Sequence, residues 1–166
     1  MNTTRLLGAG LLAVVLFGAT AWYVASVERR LAHSFRMVDV MADYQRYADK
    51  VYFAGLGEDW ELTGWYSWKL RKASWPVADG DVVEYRGIEQ YDVADLTQKM
   101  LWPALTALDS AVEAKDQQSF LVAYRALIDT CNACHQVSEH GFVEILVPDR
   151  PTHSNQRYEL GETASH

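Results

Sequence analysis

An all-α fold is predicted, with four amphipathic helices behind an apolar N-terminal helix. Three observations predict it. Apolar residues recur at three- and four-residue steps through most of the chain. Strand-like alternation is confined to short pieces around Val82 and Phe142. The 166 residues are 49% hydrophobic and 12% aromatic, enough to bury the core of one domain with a short appendage. The formal charge of −7 argues against nucleic acid as a partner. An acidic surface favours partners with basic docking surfaces, although modest acidity also serves solubility alone.

Residues 1–27 form the first segment. Leu6 to Val27 carries no charge, with Arg5 before it and Glu28, Arg29 and Arg30 after it. At about 1.5 Å per residue this run can cross a bilayer core of about 30 Å. Trp22 and Tyr23 stand where an interfacial aromatic belt would be. The chain is therefore expected to meet a membrane through this helix. A cleaved signal peptide competes, with Leu6 to Gly18 as its apolar region and Ala19-Thr20-Ala21 as its small-residue site. Span length and the aromatic flank favour the anchor. Both readings put the remainder of the chain outside the cytoplasm.

The second segment, residues 28–141, carries the four helices. The first runs from Glu28 to about Ala54, continuous with the apolar segment, on a stripe of Leu31, Phe35, Val38, Met41, Ala48, Val51 and Tyr52. Gly55-Leu56-Gly57 ends it. The second runs from Asp59 to Ser74, and Pro76 stops it. Its tryptophans, Trp60, Trp65 and Trp68 with Trp75 beyond, are expected in the core; a docking surface or an electron route is the alternative. Pro76 to Tyr91 is irregular, with a turn at Ala78-Asp79-Gly80-Asp81 and an extended piece at Val82-Val83-Glu84-Tyr85. The third helix starts at Asp92 or Asp95 as N-cap, and Pro103 should kink it. Glu113 to Gln117 suits an antiparallel connection, and Asp116 caps the fourth helix. Phe120, Tyr124, Leu127, Cys131 and His135 share one face of that helix. Residues 142–166 form an extended tail, in which the apolar run Phe142 to Val147 favours packing and the end from about Arg157 reads as frayed.

The chemistry lies at Cys131-Asn132-Ala133-Cys134-His135, which holds the only two cysteines of the chain. Cys-x-x-Cys-His is the pattern to which a c-type haem is attached. On a helical turn both thiols point to one side, where each can add to a haem vinyl group, and His135 can bind iron as the proximal ligand. The rivals are weaker. A zinc site lacks further close ligands. A thioredoxin-like pair lacks a strand before its helix. A disulfide across three residues of one helix is geometrically poor. No catalytic triad, phosphate-cradling loop or carboxylate pair stands out, so no enzyme is expected.

Four helices with Cys-x-x-Cys-His near the end of the fourth resemble the class II cytochromes c, cytochrome c-prime and its low-spin relatives. The resemblance covers about Glu28 to His140. It implies an up-down four-helix bundle with one covalently bound haem c. Haem of this type is attached in bacteria outside the cytoplasm, so the family chemistry implies an inner-membrane protein whose haem domain faces the periplasm, or a soluble periplasmic one after cleavage. The long Pro76 to Tyr91 connection and the tail after His140 depart from the family. The oligomeric state stays open, a homodimer included.

The sixth ligand decides between functions. In an up-down bundle the first and third loops lie at one end. Counting back about 14 residues, or about 20 Å, from Gly55 reaches Met41. Met37 is the second choice, and core filling by Met41 is the bland alternative. Met100 reads as packing, His33 as too far along the helix, and His153 and His166 as solvated. His140 could bond a propionate or stand exposed. Arg36 could pair with a propionate, as an arginine on this helix does in the family. The low-spin members of the family use a first-helix methionine, which implies one-electron transfer with redox partner proteins. An open site that binds NO or CO, or an accessory subunit of a membrane redox complex, are the alternatives.

Overall fold

The computed structural model describes residues 3–32, 35–83, 90–152 and 156–158. The chain is all-α and falls into two units, Met1–Ser34 and Phe35–His166. The first unit holds one helix, α1 (Thr3–Ala32). Among the described residues no helix is long and apolar enough to cross a membrane. That overturns the anchor expected over residues 1–27, and with it the inner-membrane location. Thr20 and Ser26 turn their hydroxyls back onto the carbonyls of Leu16, Phe17 and Tyr23 at 2.7–3.0 Å.

α1 does not continue into the next helix. Phe35–Arg36 (β1) is extended and pairs in parallel with Val82–Val83 (β2), Phe35 opposite Val82 and Arg36 opposite Val83. Only then does α2 begin (Met37–Leu56), after Arg36 at φ −91°, ψ 139°. α3 (Trp60–Ala73) follows Asp59, whose carboxylate accepts from Leu62 N at 3.0 Å. Pro76 does not stop this helix. The break is at Ser74, and Pro76 lies in the first turn of α4 (Trp75–Ala78), where a missing N–H costs nothing. α5 (Val93–Leu96) follows Asp92, which accepts from Asp95 N at 2.9 Å. A π-helical turn over Thr97–Leu101 then leads into α6 (Trp102–Ala114), with Pro103 in its first turn. The wider turn accommodates Pro103 inside a helical run that continues from Val93 to Ala114, where the third helix was expected. Lys115, left-handed at φ 54°, closes α6, and Asp116 caps α7 (Gln117–Val137) by accepting from Ser119 N at 2.7 Å.

Four helices of the second unit pack in sequence: α2 on α3, α3 on α6, α6 on α7, and α7 on α2. Their core is built from Val51, Leu70, Leu105, Leu108, Val112, Phe120, Tyr124, Leu127 and Ile128. Each large apolar side chain removed from water contributes about 1.5–3 kcal/mol. A polar seam fixes the antiparallel register of α3 against α6. Ser67 and Arg71 both bond Asp109, Arg71 also reaches Thr106, and Trp102 Nε1 donates to Ser74 Oγ at 2.9 Å. Between α2 and α7, Gln117 donates to Leu56 O at 3.1 Å and Tyr124 Oη to Ala48 O at 3.1 Å. As α7 rises from 117 to 124, α2 therefore falls from 56 to 48.

α2 ends within Gly55-Leu56-Gly57 as expected, with Gly57 as its cap, while Gly55 itself is packed inside the last turn. A Cβ there would run into the ring of Phe120, which is fully buried. Gly55→Ala should therefore destabilise the fold by about 1–3 kcal/mol, despite alanine's better helix propensity. Urea denaturation checks it as a lower midpoint with an unchanged slope.

Candidate functional site

Cys131, Cys134 and His135 occupy the last two turns of α7. They extend the stripe of Phe120, Tyr124 and Leu127, so the site is the open end of the core. Both cysteines are free thiols, half-buried. Burial, reinforced by the neighbouring Cys134, pushes the Cys131 thiol up to about 11. Burial raises Cys134 as well. The thiols are thus held protonated at neutral pH, which keeps them unlike a redox-active pair, whose attacking thiol is lowered.

His135 is oriented by the tail. Its Nδ1 lies 2.6 Å from Val143 O. A carbonyl only accepts, so Nδ1 carries the hydrogen, and in the neutral ring Nε2 keeps its lone pair for a metal. Asn132, between the two cysteines, holds the same piece of tail. Its amide donates to Ile145 O and accepts from Ile145 N, both at 2.8 Å. A backbone N–H only donates, so this pair also fixes which way the amide points. Ile145 packs on the main core while Phe142 and Leu146 stay exposed. The expected packing of the apolar run is therefore met at one residue, not along its length. Farther on, Gln156 Oε1 accepts from Lys50 at 2.7 Å and Tyr66 at 2.8 Å, and Tyr158 meets Phe53.

Asn132→Ala removes both bonds to Ile145 at once. The expected loss is about 1–3 kcal/mol of local stability. Hydrogen exchange at the Ile145 amide should then accelerate by about one to two orders of magnitude, with the α2–α7 core amides unchanged.

Two tyrosines lie near enough to the cysteines to feel them electrostatically. Burial first, then Cys131 and Cys134, pushes the Tyr44 phenol above its ordinary range. Burial and Cys131 do the same to Tyr124, whose hydroxyl has Ala48 O as partner. Tyr44 Oη is buried and has no hydrogen-bond partner among the described residues. A buried hydroxyl left without a partner costs about 1–3 kcal/mol, so its place beside the thiols fits a bound polar group. Two thiols on one side of a turn, an imidazole with Nε2 available, and this orphaned hydroxyl together fit a covalently held haem. Spacing placed Tyr124 on the stripe of the cysteines, but it singled out neither Tyr44 nor Asn132, because each matters through a neighbour far along the chain.

Met41 lies one turn before Tyr44 on α2, on the same side of the helix. Carried on from Tyr124 and Ala48, the α2–α7 register brings Cys131 level with Met41 and Cys134 level with Val38, one turn earlier on α2. Met41 is 36% exposed and belongs to neither apolar cluster, so it does not fill a core gap. Met37, by contrast, packs against Val40, Val77 and Val82. Met100 is half-buried in the π-helical turn. Arg36 is committed to Asp39 at 2.9 and 3.2 Å. His140 Nδ1 lies 2.7 Å from Ser138 O, with its ring beside Phe142. His33, His153 and His166, with Glu84 and Tyr85 of the expected extended piece, lie outside the described residues.

The tryptophans divide. Trp60 packs edge-on to Phe120 with ring centroids 6.1 Å apart. Trp65, Trp68 and Trp75 are not core residues, being 53%, 42% and 46% exposed. α3 instead buries Thr63, Ser67 and Leu70, the first two satisfied by Asp59 O and Asp109. No family model matches the chain, and no curated protein or solved structure matches it.

Proposed function

We propose that the chain is a monohaem c-type cytochrome that carries one electron, with α2, α3, α6 and α7 forming an up-down four-helix bundle of the class II type. Cys131 and Cys134 would hold haem c through thioether links. His135 Nε2 would bind the iron, and Met41 would be the sixth ligand. The bond between His135 Nδ1 and Val143 O supports this most directly. It fixes tautomer and ring orientation in the way that metal-binding histidines require.

Haem c supplies an iron that gains and loses one electron. The chain's own residues bind and shield it. Tyr44 and Tyr124, with buried hydroxyls and within electrostatic reach of Cys131, would lie on the thiol side of the haem, and Tyr44 would offer a hydroxyl donor there. Asn132 pins the tail so that the Val143 carbonyl stays on the imidazole. The formal charge of −7 would steer a redox partner with a basic docking surface. The antiparallel contacts of α3 with α6 and of α7 with α2 support the bundle, since neighbours in an up-down bundle all run opposite ways.

The visible spectrum of protein made in a host that attaches c-type haem tests the function. Sharp, split low-spin bands on reduction, unchanged by carbon monoxide, are expected. A broad high-spin spectrum that shifts with carbon monoxide would point to an open gas-binding site instead.

A further inference from the structure

The solvent stripe of α3 and α4 carries the wrong chemistry for solvent. Its exposed positions are Glu61, Trp65, Trp68, Lys72 and Trp75. An exposed stripe is ordinarily polar, and large aromatic side chains gathered on one mark an interaction surface. Lys69 lies beside it and completes a ladder. Its ammonium sits 4.8 Å from the Trp65 ring and 5.0 Å from Trp68. Lys72 sits 5.0 Å from Trp68 and 5.9 Å from Trp75. Trp65 and Trp68 are themselves 5.4 Å apart. The ladder runs about 15 Å along the surface.

Among the described residues neither lysine has a carboxylate partner, whereas Arg71 on the inner side of α3 is paired with Asp109. Their charges are held over indole faces alone, in a chain whose formal charge is −7. The ladder is thus a cationic and aromatic island on an otherwise acidic protein.

We propose that this face docks on an anionic phospholipid surface. Indoles favour the interface between headgroup and acyl chain, and lysines beside them reach lipid phosphates. The ridge along a helix is convex, so it suits a plane better than a protein groove, and its charge is opposite to that of the lipid. The contact is peripheral and needs no helix that crosses the bilayer. Glu61 before the ladder and Asp79 after it confine the attraction to its centre.

The test uses the full chain carrying Trp22→Phe, because Trp22 is 67% exposed on α1 and would add its own signal. The probes are vesicles of brominated phosphatidylcholine, alone or in equimolar mixture with phosphatidylglycerol, and the readout is quenching of indole emission. Quenching is expected with the mixed vesicles and not with phosphatidylcholine alone. Lys69→Glu with Lys72→Glu should weaken the apparent affinity by about tenfold or more. Replacing Trp65, Trp68 and Trp75 with serine should abolish quenching, with helical circular dichroism unchanged. Equal quenching by both vesicles, or indifference to the charge reversal, would overturn the proposal. So would the absence of quenching together with a dimer that the same substitutions dissociate, which would assign the face to a second copy of the chain.

Discussion

Met41→Ala is expected to convert the haem-loaded protein from a low-spin to a high-spin spectrum and to let carbon monoxide bind. The register of α2 against α7 puts Met41 level with Cys131, and Tyr44, one turn on, lies near enough to both thiols to feel them electrostatically. A thioether that ligates iron raises the reduction potential, and removing it opens a coordination site. The potential should fall by on the order of 0.1 V, a fraction of the ~0.8 V over which axial ligands tune haem. The same change should cost the fold little, about 0.5 kcal/mol or less, because the side chain is 36% exposed and outside both clusters. Met37→Ala separates the two effects. Met37 packs on Val40, Val77 and Val82, so its loss should lower stability and leave the spectrum unchanged.

Phe120→Ala should remove about 3–5 kcal/mol of stability, independent of any cofactor. The ring is fully buried, lies edge-on to Trp60, and stacks near Tyr124 with centroids 6.1 Å apart. It also fills the space left by the missing side chain at Gly55. Domains of this size are stable by about 5–15 kcal/mol, so the variant would sit close to unfolding. Adding Gly55→Ala to it should restore part of the loss, because the methyl group then enters a cavity. A double-mutant cycle by urea denaturation should therefore show a coupling of about 1 kcal/mol or more. Additive losses would mean that the ring and the glycine do not meet.

What the sequence made legible was local. Asp59, Asp92 and Asp116 cap helices where a carboxylate precedes an apolar-periodic run, since each bond spans three residues. The stripe from Phe120 to Leu127 was readable for the same reason, and so was the cysteine motif. What escaped was set by distant partners. The break before Met37 exists because Phe35–Arg36 pairs with Val82–Val83. Pro76 begins a helix rather than ending one, which depends on Ser74, and Pro103 sits inside the expected third helix behind a wider turn at Thr97–Leu101 that the spacing did not show. On α3 two faces competed for the core. Periodicity favoured the tryptophans, but Asp59 O and Asp109 satisfy Thr63 and Ser67, so the small face went inward. The hold of Asn132 on Ile145, and of His135 on Val143, likewise joins two segments with no shared period.

Mass spectrometry of denatured protein from a haem-maturing host weighs the polypeptide directly. A mass increased by one porphyrin, lost when Cys131 and Cys134 are both replaced by serine, is the outcome required if this helix end carries haem. An unmodified polypeptide mass with two alkylatable thiols would contradict it, and would leave the orientation of His135 without a metal to serve.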